Sequence, residues 1–184
     1  MNNFNVWPDI DSVADFAVIT MVKNDLFYLD IWIKHYKKYL NPLFVIIDHS
    51  SDESVSDWVS INHEDIKCNV VKIPNIAFDD RFKSAALSSL ANIYQGCCKL
   101  VITSDVDEIL IPFKSENNLK DTLLSLNEDF SAPIGVEFVH NRLNEPEYDS
   151  NIDCLNQRST FFFTSGYSKP VIWKKDAFFS PGLH

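Results

Sequence analysis

The sequence predicts an α/β protein with a mostly parallel central sheet, helices on its faces, and a mixed sheet edge near the C-terminus. Three observations predict it: four short apolar runs rich in β-branched residues, longer amphipathic stretches between them, and turn residues closing nearly every run. At 184 residues the chain fits one domain, because two separate cores would each be thin.

Residues 16–22 (FAVITMV) have no polar face, the pattern of a strand buried on both sides. Residues 25–40 carry Leu26, Leu29, Ile33, Tyr36 and Leu40 at helical steps, with Lys34, Lys37 and Lys38 largely off that stripe and Asn41-Pro42 as the stop. Residues 43–47 form a second buried strand ending at Asp48-His49-Ser50, after which Asp52 or Ser51 is placed to cap a short helix reaching Val59. Residues 68–73 read as a third strand, closed by Pro74. Residues 79–94 are a second long helix with Leu87, Leu90, Ala91 and Tyr94 on one face and Gly96 as its stop. Residues 100–104 are a fourth strand that runs straight into Asp105-Val106-Asp107-Glu108. Beyond it lie a short helix (119–126), a strand (134–140) and a hairpin or pair of strands (159–173), which need not be parallel.

The balance of charge narrows the function. Sixteen Lys and Arg against 26 Asp and Glu leave a net charge of −10, a surface that repels a phosphate backbone. Nucleic acid is therefore not an expected partner, and neither is an anionic membrane reached through a polybasic patch. The longest uncharged run, 84–98, is too short and too polar to cross a bilayer, and the N-terminal residues show no secretory pattern. Cysteines at 68, 97, 98 and 154 form no CxxC pair and read as reduced thiols, consistent with a cytoplasmic setting.

In an open parallel α/β sheet, ligands bind outside the carboxyl ends of the strands. Here those ends carry Lys23-Asn24-Asp25, Asp48-His49-Ser50 and Asp105-Val106-Asp107. Carboxylates gathered there repel one another and call for a positive partner. A divalent cation, Mn²⁺ or Mg²⁺, answers that need, because it takes oxygen ligands and shares them with substrate phosphates. The bland alternative for Asp105 and Asp107 is a solvated acidic turn. His49 beside Asp48 reads as a loop-ordering residue or a neighbour of the site, His35 as partly buried, His63 as exposed, and His140 as undecided.

These residues carry a resemblance. The segment NDLFYLDIWIKHYKKYLNPLFVIIDHSSDES (24–54) resembles the opening of GT-A fold glycosyltransferases of the family-2-like group, the Rossmann-like nucleotide-diphospho-sugar transferases. The segment RFKSAALSSLANIYQGCCKLVITSDVDEIL (81–110) resembles that group's helix and its strand ending in D-x-D-E, and KPVIWKKDAFFSPGLH (169–184) resembles its closing strand and histidine. Two departures stand out: Asn24-Asp25 replaces the usual Asn-Glu, and Ser104 precedes the D-x-D where a large apolar residue is usual.

The resemblance implies a donor-binding part at 16–112 and acceptor-side and closing elements at 113–184. It implies that Asp48 faces the base or ribose, that Asp105 leans towards ribose or metal, that Asp107 binds the metal, and that His184 completes the metal sphere or touches the diphosphate. Asn24 and Asp25 fall at the donor side. Arg81 and Lys83 are the first candidates for further phosphate contact, against a solvated first helical turn, with Lys169, Lys174 and Lys175 behind them. An inverting transferase needs a carboxylate to deprotonate the acceptor hydroxyl; Glu137 is preferred over Glu145, Glu147, Asp149 and Asp153, against a surface role. Phe161 to Phe163, Tyr167, Trp173, Phe178 and Phe179 read as core, as a peripheral membrane or protein contact, or as a platform for a glycan acceptor.

The expected function is thus a metal-dependent glycosyltransferase, with a nucleotide-sugar donor (a UDP-sugar favoured), working in surface polysaccharide synthesis at the inner face of the membrane. Two alternatives compete. One is a glycosyltransferase-like domain that binds nucleotide-sugar or a partner without turnover. The other is a Mg²⁺-dependent phosphoryl-transfer enzyme, although haloacid-dehalogenase-like phosphatases place their D-x-D after the first strand and here it follows the fourth.

Overall fold

A computed structural model describes residues 14–74, 77–112, 118–175 and 177–178. In chain order these form β1 (Phe16–Val22), α1 (Leu26–Tyr39), β2 (Leu43–Asp48), α2 (Val55–Asn62), β3 (Lys67–Lys72), α3 (Asp80–Gln95) and β4 (Leu100–Thr103), followed by α4 (Leu119–Leu124), β5 (Phe130–Ser131), β6 (Val136–Val139), β7 (Thr160–Phe163) and β8 (Ile172–Trp173). The main sheet has the order β3-β2-β1-β4-β8-β5. Strands β1 to β4 are mutually parallel, and β8 runs antiparallel between β4 and β5, which makes the mixed edge.

Alternation along the buried strands sorts the core into two layers. Phe16, Val18 and Val22 of β1 face α1 and α2, meeting Leu29, Trp32, Ile33, Tyr36, Val55 and Val59. Ala17, Ile19 and Met21 face α3, meeting Leu87, Ala91 and Tyr94. Apart from the buried Thr20 hydroxyl, both faces of β1 are therefore hydrocarbon, which is why its run shows no polar alternation. The chain builds β1, β2 and β3 outwards to one side and then returns to place β4 on the other side of β1. That reversal opens a crevice at the carboxyl ends of β1 and β4, the usual ligand position in such sheets.

Several local expectations are corrected. Ser54, not Asp52 or Ser51, caps α2, its hydroxyl accepting from the Asp57 N–H. Gly96 is the C-terminal stop of α3 as expected, but it is reached in right-handed backbone, its N–H closing on Ile93 O, and not through the left-handed turn glycine usually supplies there. His35 and His63 are both buried. Nε2 of His35 lies 2.7 Å from Leu110 O, and Nε2 of His63 lies 3.1 Å from Asp30 Oδ1. The segment 159–173 is not one hairpin: β7 pairs with β6 in a separate two-stranded sheet, while β8 joins the main one. In the small sheet Val136, Phe138, Phe161 and Phe163 share one side, and all three phenylalanines are exposed, so these aromatics are not core. All four cysteines are free thiols. Among the described residues no helix is long and apolar enough to cross a membrane.

Candidate active site at the carboxyl ends of the strands

A cleft of about 330 Å³ opens at the switch point. The end of β1 lines it with Met21, Val22, Lys23 and Asp25, α1 with Tyr28, and the end of β2 with His49. Phe78, Lys83 of α3, and Asp105, Val106 and Asp107 after β4 complete the wall. The Asp-Val-Asp turn thus opens on a cavity rather than on bulk solvent alone.

The two aspartates of that turn stand in different states. Asp105 is half-buried and held by two ammoniums: Lys83 pairs with Oδ1, and Lys169 Nζ lies 3.2 Å from Oδ2. Lys169 also reaches Glu108 Oε1 at 3.0 Å and is itself buried. Burial pushes the Asp105 carboxyl up, and the Lys83 and Lys169 ammoniums outweigh it, leaving the group below the ordinary carboxylate range. Burial lifts the Glu108 carboxyl above its ordinary value, with Lys169 opposing. Burial likewise works against the charged Lys169, but Asp105 and Glu108 dominate and raise it. The positive charge expected among these carboxylates is therefore supplied, in part, by lysines. Asp107 is exposed and makes no hydrogen bond or ion pair with the described residues.

The turn is fixed from behind by α1. Trp32 Nε1–H donates to Ser104 Oγ at 2.9 Å, and the Leu110 N–H donates to Tyr36 Oη at 3.0 Å. Burial pushes the Tyr36 hydroxyl up to about 12, so it stays a neutral partner. Ser104, the departure from the resembled pattern, is the side chain that receives the indole.

The other predicted residues fall into place around this core. Asp48 is buried and turned back on its own loop, accepting from the Ser51 N–H at 2.8 Å, and it does not line the cleft. Asn24 has left-handed backbone (φ 61°) and clasps the neighbouring loop, its Oδ1 accepting from the Asp52 N–H at 2.8 Å and its N–H donating to Ser51 Oγ at 3.0 Å. Asp25 begins α1 without a side-chain cap bond and faces the cleft. Arg81 sits exposed on the first turn of α3, away from the cleft lining, whereas Lys83 reaches it. Glu137 is exposed on β6 opposite Phe162, in the separate small sheet, and does not line the cleft. His184 lies outside the described residues.

One site residue was undervalued from sequence. His49 is 1% exposed, lines the cleft, and has no hydrogen-bond partner for either ring nitrogen among the described residues. Its ring sits 6.1 Å from Phe78 and 6.5 Å from Phe82. A buried imidazole with both nitrogens unmatched is costly, of order 1–3 kcal/mol per group, unless a ligand or solvent completes it.

The donor set bears on a metal. Among the described residues no three or more His, Cys, Asp or Glu side chains converge as a cation cage. One open carboxylate, Asp107, beside a lysine-paired one suits a hard cation that takes one or two protein oxygens and draws the rest from phosphate.

The chain matches no protein-family model and no curated protein. Among solved structures it is similar to TarS 1–349 of S. aureus at 18% identity and TM-score 0.44, over 60% of this chain and 31% of that one. It is also similar to the mannosyltransferase PcManGT of Pyrobaculum calidifontis, in complex with GDP-Man and Mn²⁺, at 14% identity and TM-score 0.45, over 78% and 40% of the two chains. A third likeness is to core-mannan synthase A of Aspergillus fumigatus in its Mn/GDP form, at 13% identity and TM-score 0.40, over 87% and 59%. The chain thus spans 31% to 59% of the length of these three proteins, and every TM-score lies below 0.5.

Proposed function

We propose that the chain is a GT-A-type glycosyltransferase domain that takes a nucleotide-sugar, a UDP-sugar by preference, and passes the sugar to a hydroxyl of a glycan acceptor in surface polysaccharide synthesis. The observation that carries this reading is a single cleft at the sheet's switch point, faced by an open carboxylate (Asp107), a lysine-paired one (Asp105) and a buried imidazole without a partner (His49). Such a wall offers separate places for a cation, for phosphate oxygens and for a polar heterocycle or ribose. The order of the segments resembling the family-2-like group supports the same reading.

In this proposal Asp107, with Asp105 beside it, holds a divalent cation together with the diphosphate. When bound, the ion neutralises charge on the departing nucleoside diphosphate. Lys83, which lines the cleft, reaches phosphate oxygens, while Lys169 stays between Asp105 and Glu108 and holds the acidic turn. His49 hydrogen-bonds the base or ribose. Strands β2 and β4 flank β1, so His49 and Asp105 stand roughly 10 Å apart by strand spacing, with the cleft between them. The α1 clamp on Ser104 and Leu110 keeps the acidic turn rigid. Glu137 stands away from the cleft, so the proposal gives it no role as acceptor base.

The test is release of nucleoside diphosphate from a panel of UDP- and GDP-sugars with Mn²⁺ or Mg²⁺. Release that disappears in Asp107→Asn supports the proposal. Binding without release identifies a binding-only domain, and absence of any thermal shift with UDP or GDP plus Mn²⁺ sinks both readings.

A further inference from the structure

We propose that Lys83 is an exchangeable counter-ion, which neutralises Asp105 in the free protein and transfers to the diphosphate of an entering nucleotide, making cation binding at the acidic turn conditional on nucleotide. The inference rests on the nucleotide-sugar reading of the cleft and adds a coupling between its two ligands.

The two lysines on Asp105 are not equivalent. Lys169 is held by two carboxylates, at 3.2 Å from Asp105 Oδ2 and 3.0 Å from Glu108 Oε1, and its side chain is 9% exposed. Moving it would leave Glu108 half-buried without its cation. Lys83 has one carboxylate partner among the described residues, Asp105, and it lines the cleft. It projects from the first turn of α3 on a flexible four-carbon stem, so the ammonium can swing from one anion to another without moving backbone. That the cleft receives a polar ligand at all is indicated independently by His49, buried against it with both ring nitrogens unpartnered.

Charge explains the coupling. The Lys83 and Lys169 ammoniums pair with Asp105 and Glu108, and the unpaired Asp107 beside them leaves the acidic turn net negative by one unit charge. A divalent cation arriving alone reverses that sign while lying beside Lys83, in a half-buried place where like charges are poorly screened. A diphosphate arriving alone meets two carboxylates of the lining, Asp107 and Asp25, against the single further cation Lys23. Together, the diphosphate takes Lys83, which frees one oxygen of Asp105 for the cation. Each ligand thereby tightens the other, and the coupling is reciprocal.

The test uses the full chain, Mn²⁺ alone followed by the paramagnetic resonance of the free ion, and UDP alone followed by calorimetry. Lys83→Gln removes the charge and keeps most of the stem. Mn²⁺ alone is expected to bind Lys83→Gln at least about tenfold tighter than wild type, UDP alone to bind it more weakly, and the gain in Mn²⁺ affinity on adding UDP to shrink. Lys83→Arg, which keeps the charge, is expected to remain weak for Mn²⁺ alone. Unchanged or weaker binding of Mn²⁺ alone by Lys83→Gln overturns the proposal, as does tight binding that survives Asp107→Asn. If neither UDP nor GDP binds under any condition, the nucleotide-sugar reading falls, whereas the comparison with Mn²⁺ alone still decides the role of Lys83.

Discussion

Trp32 of α1 and Ser104 after β4 are joined by a buried hydrogen bond of 2.9 Å, indole N–H to hydroxyl oxygen, across the floor of the acidic turn. Four residues further along α1, Tyr36 accepts from the Leu110 N–H, and His35 Nε2 lies 2.7 Å from Leu110 O. One helix thus fixes the backbone on both sides of Asp105 and Asp107.

Ser104→Ala strands the indole N–H in the interior. A loss of about 1–3 kcal/mol in unfolding free energy is expected by urea titration. Because the acidic turn loosens, Mn²⁺-dependent UDP binding should weaken beyond what the stability loss explains. Unaltered UDP affinity would separate the clamp from the site.

The two aspartates should part company under mutation. Asp107→Asn is expected to leave the melting temperature within about a degree, because the side chain is exposed and unpaired, and to abolish nucleoside diphosphate release. Asp105→Asn leaves Lys83 unpaired and Lys169 with Glu108 alone, so it should also cost about 1–3 kcal/mol of stability. Equal stability of the two variants contradicts the network.

His49→Phe exchanges an unmatched buried imidazole for hydrocarbon among Phe78 and Phe82. Stability should hold or rise while UDP affinity falls about tenfold, the opposite movements expected of a ligand-facing polar group. A parallel fall in both quantities would mark His49 as an ordinary packing residue.

Acid should weaken the fold before carboxylates titrate. Burial holds His35 and His63 below the usual 6.5. The unfolded chain therefore takes up protons at a pH where the folded chain does not, and unfolding free energy falls as pH drops from 6.5 towards the folded values. Their contribution is full above 6.5 and lost below the folded values. Urea titrations at pH 7.5 and 5.5 should show the fall, reduced in His35→Asn and His63→Gln. A flat profile would contradict the burial of both rings.

Much of the sheet was legible because its signal is local. The run 16–22 coincides with β1, and the amphipathic stretches gave α1 and α3 to within a residue or two. What escaped depends on partners distant in sequence. His35 is covered by Leu110, Lys169 finds Asp105 across 64 positions, and Ser104 owes its place to Trp32, 72 positions away. No window around those residues announces such neighbours. One signal did exist for the lysines: three acidic strand ends in one sheet require cations, and Lys169 lies shortly before β8, separated from it by Pro170 and Val171. The separation of β6 and β7 into their own sheet was not legible, because two short apolar runs read alike whether they join a large sheet or only each other.

A strand that is oily front and back has no built-in ruler. Sliding β1 one step along β2 would exchange Ile19 and Ala17 for Val18 and Phe16 at modest hydrophobic cost. What indexes the pair lies at its mouth, where Asn24 grips Ser51 and Asp52 and the His49 N–H reaches Val22 O. The loops that would greet a substrate are thus also the calibration marks of the scaffold, and misalignment beneath them first requires dismantling the entrance above.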